Sequence, residues 1–149
     1  AELRGRGADA SATALDVTDA GAVARLMRRI DGKRRPLRGV IHAAAVYADG
    51  MAAEMSLADF RKAVAVKADG AAALDSAARQ LETEGRALDF FVLYSSATTA
   101  LGNPGQANYV AGNAAVEAIA RARQADGLPA MAVAWGPIRG TGALGRHAA

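Results

Sequence analysis

The residues with the clearest chemical potential lie in the stretch Tyr94-Ser95-Ser96-Ala97-Thr98-Thr99-Ala100-Leu101-Gly102-Asn103-Pro104-Gly105-Gln106-Ala107-Asn108-Tyr109-Val110-Ala111-Gly112-Asn113. An apolar run, Phe90 to Tyr94, stops at two serines, and a loop rich in Gly, Asn and Pro follows. A helical pattern then opens near Tyr109. Open parallel sheets bind their ligands at the carboxyl ends of strands, which is where this order puts Ser95 and Ser96. Helical spacing sets the Tyr109 phenol and the Asn113 amide on one face, one turn apart. A hydroxyl at a strand end, thirteen residues before a helix-borne tyrosine, suits carbonyl reduction by hydride transfer. The serine holds the carbonyl oxygen and the tyrosine gives up the proton.

A free tyrosine has a pKa of about 10, so it needs help to exchange a proton at neutral pH. A neighbouring cation favours the phenolate and supplies that help. The candidate is Lys67, between Val64 and Gly70 on the inward stripe of the preceding helix. The same local pattern also suits a surface lysine that lays its stem on apolar neighbours and keeps its ammonium in water. Tyr109 by itself also reads as a packed aromatic, and Ser96 by itself as a strand-end cap. Their combination is what points to chemistry.

Several elements must position these groups. Ala12 to Val17 reads as a strand, and Thr18 or Asp19 as the cap of a helix whose Val23, Leu26, Met27 and Ile30 share one face. Asp31-Gly32 ends that helix. Gly39 to Ala45, apolar except for His42, reads as a strand buried on both faces, with His42 structural. Ser56-Leu57-Ala58-Asp59 is a capping box with Asp in the Glu position, and it opens a long helix to about Leu81. Phe60, Val64, Lys67, Ala71 and Leu74 recur along it, and Gly70 marks a close packing contact. After a charged connector, Leu81 to Leu88, come a third strand (Asp89 to Ser95) and a helix over 107–124 with Gly127 as its C-terminal cap. Ala130 to Trp135 is a fourth strand. The order β-α-β-α-β-α-β predicts an α/β fold with a parallel sheet covered by helices.

A chain of 149 residues suits one domain, with a Gly-rich, mobile tail from about residue 138. The net charge of +3 raises a nucleic-acid reading, but acids are interleaved with the basic residues almost everywhere. The dense cluster Arg28, Arg29, Lys33, Arg34 and Arg35 suits a solvated helix end, or a docking patch for an acidic partner. With no cysteine there is no disulfide framework, thiolate metal site or cysteine nucleophile, and no metal is expected. No apolar run approaches the roughly 20 residues of a membrane span, and no signal peptide opens the chain. The expectation is a cytoplasmic protein bound to neither membrane nor nucleic acid.

The chain resembles the C-terminal part of a ketoreductase domain of a type I polyketide synthase, within the short-chain dehydrogenase/reductase superfamily. The motifs that carry the resemblance are Gly39-Val40-Ile41-His42-Ala43-Ala44-Ala45-Val46, Lys67-Ala68-Asp69-Gly70-Ala71, Phe91-Val92-Leu93-Tyr94-Ser95-Ser96-Ala97, Gly105 to Asn113, and Gly127 to Gly136. The resemblance implies a doubly wound, Rossmann-like sheet lacking its first β-α-β unit. It implies a catalytic tetrad of Ser96, Tyr109, Lys67 and Asn113. Much of the superfamily carries its lysine four residues after the tyrosine. Here Asn113 holds that position and Lys67 comes from the previous helix, an exchange these ketoreductases share.

The implied cofactor is NADPH. Asp16 and Val17 would flank the adenine, and Ala43, Ala44 and Ala45 would offer bare backbone to the cofactor, which Lys67 and Tyr109 would also contact. Gly136, Pro137 and Ile138 would meet the nicotinamide amide. No Gly-x-Gly-x-x-Gly lies between an early strand and its helix, the one match, Gly140 to Gly145, standing in the tail after the last expected strand, so the pyrophosphate cradle would have to come from an upstream ketoreductase segment, and this stretch alone is expected to be inactive. The implied substrate is a β-ketoacyl thioester on an acyl carrier protein, beside other synthase domains. Asp49, seven residues after His42, would accompany a D-hydroxy product, and Gln106 would join it in substrate binding and stereocontrol; Leu101 stands where the opposite class commonly has tryptophan. Two rival readings are a stand-alone short-chain dehydrogenase acting on a free small molecule and a non-catalytic scaffold.

Overall fold

The computed structural model describes residues 2–32 and 34–137. Three parallel strands form the sheet among these residues: β1 (Gly39–His42), β2 (Phe90–Ser96) and β3 (Met131–Trp135), in that spatial order. Gly39 pairs with Phe90 and His42 with Leu93, while Val92 pairs with Met131 and Ser96 with Trp135. The helices are α1 (Glu2–Gly5), α2 (Ala20–Ile30), α3 (Leu57–Thr83), the single turn α4 (Thr98–Leu101) and α5 (Ala107–Ala125). The parallel α/β class expected from the sequence is the class observed.

Local chemistry fixes the helix starts. Asp19 accepts a hydrogen bond from Ala22 N at 2.9 Å at the head of α2, and Ser56 Oγ accepts from Asp59 N at 3.0 Å at the head of α3. Both contacts satisfy backbone donors that a helix leaves free at its first turn. Beyond α5, Gly127 takes φ +73°, the left-handed conformation that closes helices at little cost to glycine.

Strand alternation sorts the sheet's side chains. Val40, His42, Phe91, Leu93 and Ser95 are buried beneath the helices, whereas Ile41, Phe90, Met131 and Trp135 on the opposite face stay exposed. On the covered face α3 lies between α2 and α5, and α5 also rests on β2 and β3. Val23 and Met27 of α2, the alanines of α3, and Val116 and Ala120 of α5 close one core with Phe91 and Leu93. The small side chains of α3 let its backbone approach both neighbours. A methyl group on Gly70 would lie 2.9 Å from a Val17 methyl, and one on Gly112 would lie 3.0 Å from Lys67 Cβ.

Five local expectations change. Residues 12–17 form no strand: β1 pairs with β2 on one edge, no other described strand lies along its second edge, and a strand needs a ladder partner. Asp16 instead makes a turn, its carboxylate accepting from Thr18 N at 2.9 Å and Thr18 Oγ1 at 2.8 Å. Pairing in β1 stops at His42, so 43–45 are loop, and β2 runs one residue further, through Ser96. The loop after β2 contains the turn α4. The supposed connector begins as helix, because α3 continues to Thr83 and buries Leu81. The expected tail from residue 138 lies outside the described residues.

Candidate active site

Parallel pairing brings the carboxyl ends of the three strands to one edge of the sheet. Ala43–Ala45 leave β1 there, Ser96 ends β2, and Gly136 and Pro137 leave β3, with Ala97 N donating to the Trp135 carbonyl at 2.9 Å. Ser96 Oγ accepts from Thr98 N at 3.2 Å and from Thr98 Oγ1 at 3.0 Å. With both acceptor directions of that oxygen engaged, its own proton is left to donate elsewhere.

The other three members of the implied tetrad sit on two packed helices. Lys67 projects from α3 and is 2% exposed, its Nζ donating to the Tyr94 carbonyl at 2.6 Å and lying 5.6 Å from the centre of the Tyr109 ring. Among the described residues no carboxylate pairs with it, and burial lowers its pKa to about 8. Gly112 permits this placement by keeping α5 bare where the lysine stem passes. Asn113 is fully buried; its Nδ2 donates to the Tyr109 carbonyl at 2.8 Å and its Oδ1 has no partner. The local pattern, which taken alone favoured a surface lysine, resolves to a buried one.

Around the tyrosine the loops are tied together. The Tyr47 ring lies 5.2 Å from that of Tyr109. Asn108 Nδ2 donates to the Ala48 carbonyl at 2.7 Å while its Oδ1 accepts from Tyr109 N at 2.8 Å. Asp49 Oδ2 accepts from Gln106 Nε2 at 2.8 Å, Asn103 donates to Gln106 Oε1 at 2.7 Å, and Gly50 N donates to the Gly105 carbonyl at 2.8 Å. Asp49 and Gln106 are thus in contact, whereas Leu101, at the end of α4, is 84% exposed. An open apolar hollow of about 400 Å³ beside them is lined by Ala52, Met55, Leu57, Phe60 and Ala107.

The residues proposed for a cofactor fit part of it. Ala43, Ala44, Gly136 and Pro137 are exposed and offer small or absent side chains along the sheet edge. Val17 packs at Gly70 beside His42, the last residue of β1. Asp16 is exposed, and the Thr18 backbone N–H, followed by its hydroxyl, holds the Asp16 carboxyl below the usual range. These features suit the nicotinamide and adenine ends. Among the described residues no Gly-x-Gly-x-x-Gly turn joins a strand to a helix to hold a pyrophosphate. Ile138 lies outside the described residues. Among the described residues no group of three His, Asp or Glu is placed to hold a metal ion. His42 is buried under α3; burial, then the Lys67 charge, pushes its pKa down.

Sequence reasoning passed over Thr98, Asn108, Glu117 and Arg123. Asn108 carried a usable signal, since asparagine in the first turn of a helix commonly serves backbone groups. Glu117 and Arg123 carried none, because Ser95 and Thr99 on the one and Asp75 and Glu82 on the other lie 18 to 48 residues away.

Comparison with known proteins gives the same frame. Residues 1–147 match the family described as KR domain. The chain is 42% identical over 148 residues to polyketide synthase GfsB of Streptomyces halstedii, covering 99% of this chain and 2% of that protein. It is 37% identical over 147 residues to the phenolphthiocerol synthesis polyketide synthase type I Pks15/1 of Mycobacterium marinum, covering 7% of that protein. The fold is similar to that of PlmKR1, the ketoreductase from the first module of phoslactomycin biosynthesis in Streptomyces sp. HK803, with TM-score 0.84 and 41% identity over 94% of this chain and 31% of that one. Among the described residues no helix is long and apolar enough to cross a membrane. A match this continuous, over strands and helices in the same arrangement, establishes that the chain belongs to the KR domain family, the ketoreductase domains of polyketide synthases.

Proposed function

We propose that this chain forms the catalytic part of an NADPH-dependent reductase that converts a β-ketoacyl thioester on an acyl carrier protein to a β-hydroxyacyl thioester. The observation that supports it most is the buried Lys67 ammonium, bonded to the Tyr94 carbonyl, unpaired with any described carboxylate and 5.6 Å from the centre of the Tyr109 ring. An isolated buried cation is costly, and it is tolerable where its charge has a task. When bound at the carboxyl edge of the sheet, NADPH supplies a hydride to the carbonyl carbon. Ser96 donates its free hydroxyl proton as a hydrogen bond to the carbonyl oxygen, a contact that strengthens as negative charge develops there. Tyr109 then transfers its phenolic proton to that oxygen, and the Lys67 charge favours the phenolate left behind. Asn113 ties its own turn of α5 to the Tyr109 backbone and steadies the phenol.

The reading is tested in the full-length protein. Tyr109→Phe is expected to lower turnover of a β-ketoacyl thioester at least a thousandfold while NADPH affinity stays within about threefold. Turnover within tenfold of the parent would overturn the assignment. The swapped Lys67/Asn113 arrangement favours this branch over a stand-alone dehydrogenase.

A further inference from the structure

Ser96 is bracketed by hydroxyls that do not face the reaction. Ser95 points to the opposite side of the sheet, is 3% exposed, and donates from Oγ to Glu117 Oε1 at 2.5 Å. Thr99, in α4, places Oγ1 2.9 Å from the same Glu117 oxygen and 2.9 Å from the Ser96 carbonyl. One carboxylate oxygen on α5 therefore gathers the residue before Ser96 and the residue three beyond it. Among the described residues the other oxygen of Glu117 makes only a 3.7 Å pair with Arg121, which is largely exposed. No proton or charge in the proposed reaction passes through this carboxylate, yet it holds residues on both sides of the reacting hydroxyl.

Glu117 lies on the helix that bears Tyr109, eight residues further on. We propose that Glu117 is a positioning residue, which refers the Ser96 hydroxyl to α5 through Ser95 and Thr99 and so fixes it relative to the Tyr109 phenol. Both reacting hydroxyls are then anchored to one rigid element, Tyr109 covalently and Ser96 through the Glu117 bracket. Rigid anchoring of this kind matters because catalytic groups lose effectiveness steeply with small displacements. The inference rests on the reading of Ser96 and Tyr109 as the reacting pair.

The test is steady-state reduction of a β-ketoacyl thioester by the full-length protein and its variants. Glu117→Leu removes the acceptor at similar volume and is expected to lower kcat at least tenfold with KM within twofold. Glu117→Gln keeps an acceptor oxygen for both hydroxyls and is expected to retain more than a third of parental kcat. In a Ser96→Ala background, Glu117→Leu is expected to cost less than threefold further, since no hydroxyl remains to be placed. Parental kcat in Glu117→Leu, or an equal loss with and without Ser96, overturns the proposal. Should Glu117→Leu fail to fold, Ser95→Ala/Thr99→Val removes the same bonds from the other side and is judged by the same thresholds. Parental turnover in Ser96→Ala would instead overturn the reading of Ser96 as a reacting group and leave the bracket without an object.

Discussion

Lys67 carries the sharpest consequence at the scale of single residues. Its pKa is lowered by burial to about 8, against an ordinary value of 10.5. The ammonium is therefore present below about pH 8 and is lost as pH rises through that value, well before an exposed lysine would titrate. In the proposed reaction the Tyr109 phenolate loses its supporting charge over the same interval. The pH profile of kcat/KM is expected to fall on its alkaline side with a midpoint near 8, because that ratio reports the free enzyme's groups. Lys67→Arg keeps its charge at all working pH values, so the alkaline fall should move upward even if the crowded site lowers activity overall. An unchanged midpoint would show that another group sets the limb. A second residue-scale expectation concerns the product. Asp49 accepts a hydrogen bond from Gln106, and the resemblance that links an aspartate at this position to the D series gives the expectation of a D-β-hydroxyacyl product, read by chiral chromatography. A predominantly L product would contradict it, and Asp49→Ala should reduce the stereochemical excess.

Among elements, the α3–α5 pair is decisive, and one buried guanidinium locks its far end. Arg123 is fully buried; it donates to Asp75 at 2.7 Å, to Glu82 at 2.6 Å and to the Pro129 carbonyl at 3.2 Å, and its guanidinium lies 4.4 Å from the centre of the Phe91 ring. Removing it strands Glu82, whose Oε2 is already buried without a partner. Breaking such a pair from one side typically costs about 3–5 kcal/mol. Arg123→Ala is therefore expected to raise amide exchange in α3 and α5 of the full-length protein by more than about a hundredfold, the equivalent of about 3 kcal/mol. Exchange unchanged within threefold would mean the network contributes nothing. The same pair shows what a sequence can and cannot display. Caps at Asp19, Ser56 and Gly127 were legible because each is a matter of a few adjacent residues. The Arg123–Glu82 contact spans 41 positions, so nothing local distinguished Glu82 from a solvated connector. The misread strand at 12–17 has a related cause, since its composition was suitable but the partner needed for a ladder is not a local property.

For the molecule as a whole, the two faces of the sheet differ. Helices cover one, while Ile41, Phe90, Met131 and Trp135 of the other are 59%, 44%, 57% and 41% exposed. The outer edges of β1 and β3 are unpaired among the described residues. Apolar sheet surface and free edges promote association. The 149 residues studied alone are expected to sediment as oligomers or aggregates, and Ile41→Lys/Met131→Lys is expected to shift them toward monomer. They are also expected to bind NADPH at least a hundredfold more weakly than the full-length protein, because no described group cradles the pyrophosphate. A monomeric parent that binds NADPH at micromolar concentration in calorimetry would refute both expectations.

The division of labour between α3 and α5 has a consequence for how activity arises during folding. Tyr109 travels on one helix and its cation on another, and they meet only where Gly112 lets the Lys67 stem pass. A compact intermediate with every helix formed but the interhelical seam still loose would hold each reagent and still be chemically silent. In the proposed reaction, turnover would therefore report native tertiary closure rather than secondary structure. During refolding it should appear only after circular dichroism has already recovered.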